Sequence, residues 1–404
     1  MMLPAGLWIT AAARTPVTGR SRAQADLDAA TLAAQAVRAV VGPERTVTPG
    51  AEVGAVVVGN CTGPGGNLGR IAALGAGLGT AVPGWTVDAQ CGSGIAAVVQ
   101  AAQHAALTGR ACVAAGVESP STAPERRIAG VPYTQAPMVP SGWEDPDLTA
   151  AADRLAAAQG ITRARQEAFA ARSHRLALAA AAHRPAHDDG PRRLGAAHLS
   201  RFPAVFAEAD PVFAVTGGTA ARIADGAAAV RVECSVETPT PSAEVGEADG
   251  AVPDAVPGAA CAESATLPRP CRIVAAALTG SDPALPGLAP VAAIEQVLSA
   301  SGDTVGHDGR IAVVEVVEAY AVQALAVLDA VGLARPGGSG DEDVDPRVNA
   351  RGGALAWGHP WGASGVVAVL QAVQRLQEQP PGARALVTAA VAGGMGIAMT
   401  LEVS

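Results

Sequence analysis

Short runs of unbroken apolar residues alternate with Ala/Leu-rich stretches at helical spacing through the first third of the chain. Residues 7–12 read as an opening strand, and after the turn Arg14-Thr15-Pro16 a helix is expected over about 26–41. Residues 53–58 are continuously apolar, as a strand covered on both faces must be. A glycine-rich loop (60–70) and a short helix (71–79) lead to a strand at 85–87, a helix at 95–107 and a strand at 111–115. This alternation predicts a layered α/β architecture with a parallel-type sheet.

The texture changes between Glu118 and about Asp210. Strand-like runs disappear there, and one amphipathic helix stands out over residues 163–181. Strand character returns at 227–232. A Pro-, Ala- and acid-rich stretch without periodicity follows at 237–269 and reads as a solvated linker. The last third repeats the first: strands at 273–278 and 311–316, a helix at 319–331, a glycine-rich block from Val348 to Gly365, a helix at 366–376, and closing strands at 385–390 and 397–403. The expected divisions are an N-terminal half (1–118), an inserted helical domain (119–212), a return strand (213–236), the linker (237–269) and a C-terminal half (270–404).

The chain has 404 residues, 49% hydrophobic but only 3% aromatic, so its core must be built mainly from Ala, Val and Leu. All 28 basic residues are arginine, which excludes lysine Schiff-base chemistry. A net charge of -9 with no basic stripe speaks against a nucleic-acid partner. The six cysteines form no CxxC pair and no zinc-ligand spacing, so reduced thiols and no metal are expected. The uncharged run from Ala89 to Gly109 is interrupted by Gln, Ser, His and Gly and suits a buried helix better than a membrane span. With no signal peptide visible in MMLPAGLWITAAARTP, a cytoplasmic protein is expected.

Two residues carry candidate chemistry. Cys91 sits where the apolar run before Asp88 breaks into glycines and a small-residue helix begins. Free N–H groups and the positive end of the helix dipole favour the thiolate, the form that attacks thioesters. A cysteine without such context is usually a small core filler. His359, in Gly358-His359-Pro360-Trp361-Gly362-Ala363-Ser364-Gly365, holds a similar place in the second half, and two similar halves packed face to face would bring it to Cys91.

The blocks VDAQCGSGIAAVVQAAQ, VAAGVESPSTAP, ITRARQEAFAARSHRLA, NARGGALAWGHPWGASG and AGGMGIAMTLE resemble the thiolase family, in family order and over nearly the whole chain. The resemblance implies the thiolase fold: two βαβαβαββ halves stacked in five α/β/α/β/α layers, with a loop domain inserted into the first. It also implies a homodimer, or a tetramer of dimers, and acyl transfer between coenzyme A thioesters through an acyl-cysteine intermediate. No permanently bound cofactor is implied; an acyl-coenzyme A or acyl-carrier-protein thioester is the substrate. Carried over, Cys91 is the nucleophile and His359 its base, and the backbone N–H groups of Cys91 and Ala392 form the oxyanion hole.

The sequence departs from the family pattern at three places. The second catalytic cysteine of the C-terminal C-x-G-G-G-x-G run is Ala390 here, and the asparagine of the Asn-Glu-Ala-Phe motif is Val317. Neither side chain moves a proton or holds a catalytic water. The pantetheine-binding serine has no counterpart in Gly217-Gly218-Thr219-Ala220-Ala221-Arg222, which leaves a carrier-protein thioester open. Trp357 and Trp361, together with Val317 and Ala390, are candidates for shaping the acyl pocket. Cys61 is a candidate surrogate acid or base, although a plain loop cysteine is the commoner case. The acylating half thus survives while the carbanion-forming half does not. Three readings follow: acyl transfer to an acceptor needing no deprotonated acetyl carbon, in a specialised biosynthetic route; Claisen-type bond formation, decarboxylative or with Cys61 as base; and a non-catalytic subunit that binds a partner enzyme.

Overall fold

A computed structural model of the chain describes residues 6–42, 53–133, 136–183, 188–235, 263–306 and 309–404. The first half runs β1 (Leu7–Arg14), β2 (Thr18–Gly19), α1 (Ala29–Val41), β3 (Ala55–Gly59), α2 (Leu68–Gly75), β4 (Gly84–Val87), α3 (Ser93–Thr108) and β5 (Cys112–Glu118). An insertion follows with β6 (Arg126–Ile128), β7 (Val131–Tyr133), α4 (Leu148–Gln159), α5 (Arg163–Ala179) and α6 (Ala196–Leu199), and β8 (Ala224–Cys234) closes the half. The second half comprises β9 (Glu263–Gly280), α7 (Pro290–Ser301), β10 (Ile311–Val316), α8 (Ala321–Ala330), α9 (Ala354–Trp357), α10 (Trp361–Leu376), β11 (Arg384–Val391) and β12 (Met395–Val403).

Local chemistry sets the helix ends. Asp28, Asp147 and Thr162 accept first-turn N–H groups of α1, α4 and α5, while left-handed Gly109, Gly160 and Gly302 end α3, α4 and α7. The strands run in the order β4-β3-β5-β8-β1-β9-β12-β11-β10. β3 lies parallel to β4 and β5, and β10 parallel to β11. The halves join where β1 pairs antiparallel with β9.

Three cores fill the spaces between layers. α1 and α2 pack with the outer face of the first-half strands, and α7 and α8 with that of the second-half strands. α3 and α10 lie between the two sets of strands, in a core that draws on both. The layer order is therefore α/β/α/β/α, as expected, with the two central helices carrying the candidate residues at their N-terminal ends.

Two sequence expectations need correction. Residues 263–269 are strand, not linker: β1 exposes a row of backbone groups that β9 pairs with from Arg14↔Glu263 to Ala11↔Thr266 and, after an irregularity in register, from Ile9↔Cys271 to Trp8↔Arg272, and Leu267 is buried. Residues 237–262 lie outside the described residues. The insertion is not purely helical either. β6 and β7 form a hairpin across Ala129-Gly130, both at positive φ, the backbone a tight two-residue hairpin turn demands. Among the described residues no helix is long and apolar enough to cross a membrane.

Candidate active site

Cys91 lies in a single 3-10 turn, Gln90–Gly92, between β4 and α3. The turn is tight enough to hold Gln90 at φ +49°. It is fastened on both sides. Asp88 accepts from the backbone N–H (2.9 Å) and side-chain amide (3.1 Å) of Gln90, while Ser93 Oγ accepts from Ala89 N (2.9 Å) and donates to Gln90 O (2.6 Å). A non-glycine residue at positive φ persists only where neighbours over-determine it, which is common at functional turns.

His359 arrives from the other half. Gly358, at φ +111°, passes so close to Ala224 that a Cβ would stand 2.8 Å from that methyl group. The His359 N–H then donates to Arg222 O at 2.7 Å, anchoring the residue beside the start of β8. In the side chain, Nδ1 lies 2.6 Å from Ser364 Oγ, which lies 3.1 Å from Pro360 O. With Ser364 donating to Pro360 O and accepting from the ring, the proton sits on Nδ1 and the lone pair on Nε2, the tautomer a base facing Cys91 requires. That buried Nε2 has no hydrogen-bond partner within the protein, and His359 borders the same cavity as Cys91.

The cavity measures about 270 Å³ and brings together Cys61, Cys91, His359, Trp361 and Ala392. A smaller one of about 60 Å³ shares Cys91, Tyr320 and Ala392 with it and is bordered also by Ala390. The other two acyl-pocket candidates lie elsewhere. Val317 and Trp357 line a separate cavity of about 30 Å³ behind His359, beside Ser364 and Pro360, with no border on Cys91. The Trp357 ring instead lies under the guanidinium of Arg14.

Ionisation also differs from expectation. Burial, with the Glu118 carboxylate as the next cause, pushes the Cys91 thiol up to about 12, so the helix end does not hold a resting thiolate. Burial alone brings the His359 imidazole down to about 4. The resting pair is a thiol and a neutral imidazole. Desolvation outweighs the helix dipole here because the site is closed on most sides by both halves. Cys61 is likewise raised, by burial first and then by Glu118 and Cys91, and its Sγ lies 3.7 Å from Ser93 Oγ.

Sequence reasoning passed over the residues that hold this frame. Glu118, fully buried at the end of β5, accepts from Asn60 Nδ2 (2.9 Å), Cys61 N (3.3 Å), Thr62 N (3.0 Å), Thr62 Oγ1 and Gly362 N (2.9 Å). One carboxylate thus ties the Cys61 loop to the start of α10. Glu318 does the same in the second half, accepting from Ser173 Oγ (2.7 Å), Asn349 Nδ2 (2.6 Å) and Leu355 N (3.2 Å). For Glu118 the visible signal was an acid closing an otherwise apolar strand. Tyr320 is a third such residue: its hydroxyl lies 3.0 Å from Thr149 Oγ1, and it borders both cavities. Among the described residues no cluster of three or more His, Cys, Asp or Glu could hold a metal ion.

A five-layer α/β molecule with a cysteine and a histidine facing one cavity from its two central helices belongs to a recognisable class of acyltransferases. Models of the thiolase N-terminal and C-terminal domains match residues 7–234 and 267–403. An acetyl-CoA acetyltransferase of Pseudomonas aeruginosa is 32% identical over 97% of this chain and 98% of its own. The crystal structure of the Bacillus anthracis acetyl-CoA acetyltransferase superposes with a TM-score of 0.78 at 26% identity, covering 99% of each chain. That of human mitochondrial 3-ketoacyl-CoA thiolase in complex with CoA gives 0.77 at 26% identity, over 100% of this chain and 99% of that one. The chain belongs to the thiolase family.

Proposed function

We propose that this protein takes an acyl group from a thioester onto Cys91 Sγ and hands it to an acceptor that supplies its own nucleophile. His359 Nε2 removes the thiol proton as Sγ attacks the carbonyl carbon. The oxyanion faces the backbone N–H groups of Cys91 and Ala392. Collapse breaks the bond to the carrier sulfur, which leaves as the thiol with the proton from His359. An amine, alcohol or thiol then attacks acyl-Cys91 and gives its proton to His359, and Cys91 leaves and is reprotonated. A carbanion produced by decarboxylation would serve as acceptor without any base.

The observation that carries this reading is the unpartnered, buried Nε2 of His359, a residue bordering the cavity of Cys91, while Ala390 on the adjoining cavity supplies no second base. The carrier is coenzyme A or an acyl carrier protein, and the setting a specialised biosynthetic route. β4, the unpaired edge of the first half, has the half-exposed apolar residues Ile71 and Leu74 of the neighbouring α2 beside it, which supports a homodimer across that edge. Intact-protein mass spectrometry after incubation with acetyl- and longer acyl-coenzyme A tests the acylation. A single acyl adduct mapped to Cys91 and absent from Cys91→Ala is expected; equal labelling of that variant would overturn the reading.

The second reading, condensation with Cys61 as base, draws on its place in the same cavity. It predicts 3-oxoacyl product from acetyl-coenzyme A alone, lost in Cys61→Ala. Product that survives this substitution removes Cys61 from the chemistry.

A further inference from the structure

The smaller cavity beside Cys91 is walled by apolar groups such as Leu148, Ala151, Leu155 and Val391, and no charged residue borders it. One side chain contradicts this lining. Gln323, in the first turn of α8, is 97% buried, since only 3% of its surface is exposed, and it borders the cavity. Neither its Oε1 nor its Nε2 has a hydrogen-bond partner within the protein. Gly287 stands against its stem, where a Cβ would come 3.6 Å from Gln323 Cγ. A buried amide without partners is costly to a fold, so a group that satisfies it gains more than the ordinary worth of a hydrogen bond.

We infer that Gln323 selects the acyl group: the chain carried on Cys91 is short and ends in a neutral group that both donates and accepts a hydrogen bond, a hydroxyl or a carboxamide. The inference rests on the acyl-Cys91 reading above. The cavity meets the larger one at Cys91, Tyr320 and Ala392, so a chain bonded to Sγ has a direct path into it. Its volume of about 60 Å³ suits roughly four non-hydrogen atoms beyond the carbonyl. With no charged residue on its border it offers a carboxylate no counter-charge to offset desolvation, and its amide disfavours a plain alkyl end. A site with buried polar groups rejects an analogue that leaves them unpaired far better than an apolar site rejects a wrong methyl.

The test is a competition at Cys91. Equal concentrations of 4-hydroxybutanoyl- and pentanoyl-coenzyme A, chains of equal non-hydrogen count, are mixed with the wild-type protein, and the Cys91 peptide is quantified after a short incubation. Acetyl-coenzyme A in a parallel reaction reports acylation itself. The hydroxyacyl adduct is expected to dominate by about tenfold or more, and Gln323→Leu is expected to reverse the order. Equal labelling of the wild type, a preference unchanged in Gln323→Leu, or labelling by acetyl-coenzyme A alone overturns the inference. No labelling by any of the three overturns the acyl-Cys91 reading with it. Should Gln323→Leu fail to fold, Gln323→Met serves, and the wild-type ratio stands without either.

Discussion

Ser364 holds the free nitrogen of His359 in the arrangement the reaction needs when it donates to Pro360 O and accepts from Nδ1, contacts of 3.1 and 2.6 Å. Ser364→Ala should therefore slow acylation by part of the roughly 10²–10⁴-fold a general base supplies, about tenfold at least. Single-turnover release of carrier thiol measures it, and an unchanged rate would deny the serine its positioning role. The raised Cys91 thiol predicts that alkylation by iodoacetamide climbs steadily above pH 9, with no plateau near neutrality; a plateau below pH 8 would mean a resting thiolate. Two histidines are buried in the neutral form, His359 and His174, each brought down to about 4. The unfolded chain protonates them first, near 6.5, so folding stability is complete above that pH and falls as pH drops toward 4. Urea unfolding at pH 7.5 and pH 5 should show the loss, reduced in His174→Gln; an unaltered pH slope in that variant would contradict it. At this scale the sequence exposed Cys91 and His359 because both interrupt glycine-rich blocks. It did not expose their protonation, since desolvation depends on the other half of the molecule. Trp357 was misplaced for a similar reason, since adjacency to His359 in the chain says nothing of which way a side chain leaves the backbone; Val317 was placed by its motif position, yet its side chain borders the separate cavity.

The two central helices meet without side chains between them at their N-terminal ends. A Cβ on Gly94 would come 2.7 Å from Val366 N and 2.9 Å from Gly362 O, so α3 and α10 touch backbone to backbone at the level of the site. Gly94→Ala should separate these ends, lower stability by about 1–3 kcal/mol and reduce acylation of Cys91 more than a neutral surface change would. Thermal unfolding and adduct formation measured on one preparation test it, and a variant as stable and as active as the wild type would refute the close contact. Most elements of the two halves were legible, because covered strands such as β3 are bare apolar runs and the Ala/Leu-rich helices keep a clear period. The β6–β7 hairpin was not, since its three-residue strands are too short to show alternation and Ala129 gives no hint of a positive φ. The start of β9 was hidden by prolines at 268 and 270, which read as linker until β1 is seen to offer it a partner.

Across the whole molecule, duplication explains how a core poor in aromatics positions chemistry so tightly. Alanine and valine let five layers approach closely, and two buried carboxylates, Glu118 and Glu318, bind the loops of each half to the segments leading into the site. The proposed dimer edge predicts sedimentation as a species of two chains, with Ile71→Arg combined with Leu74→Arg shifting it toward one; an unshifted profile would place the interface elsewhere. The five-layer order was readable from the family blocks, whereas the joining of both halves through β1 and β9 emerges only in three dimensions. Rapid-quench kinetics with excess acyl-coenzyme A tests the central claim most directly. A burst of one equivalent of free thiol per chain, matched by acyl label on Cys91, absent in Cys91→Ala and at least about 10²-fold slower in His359→Ala, is the predicted result. A missing burst, or one that survives in Cys91→Ala, would contradict it.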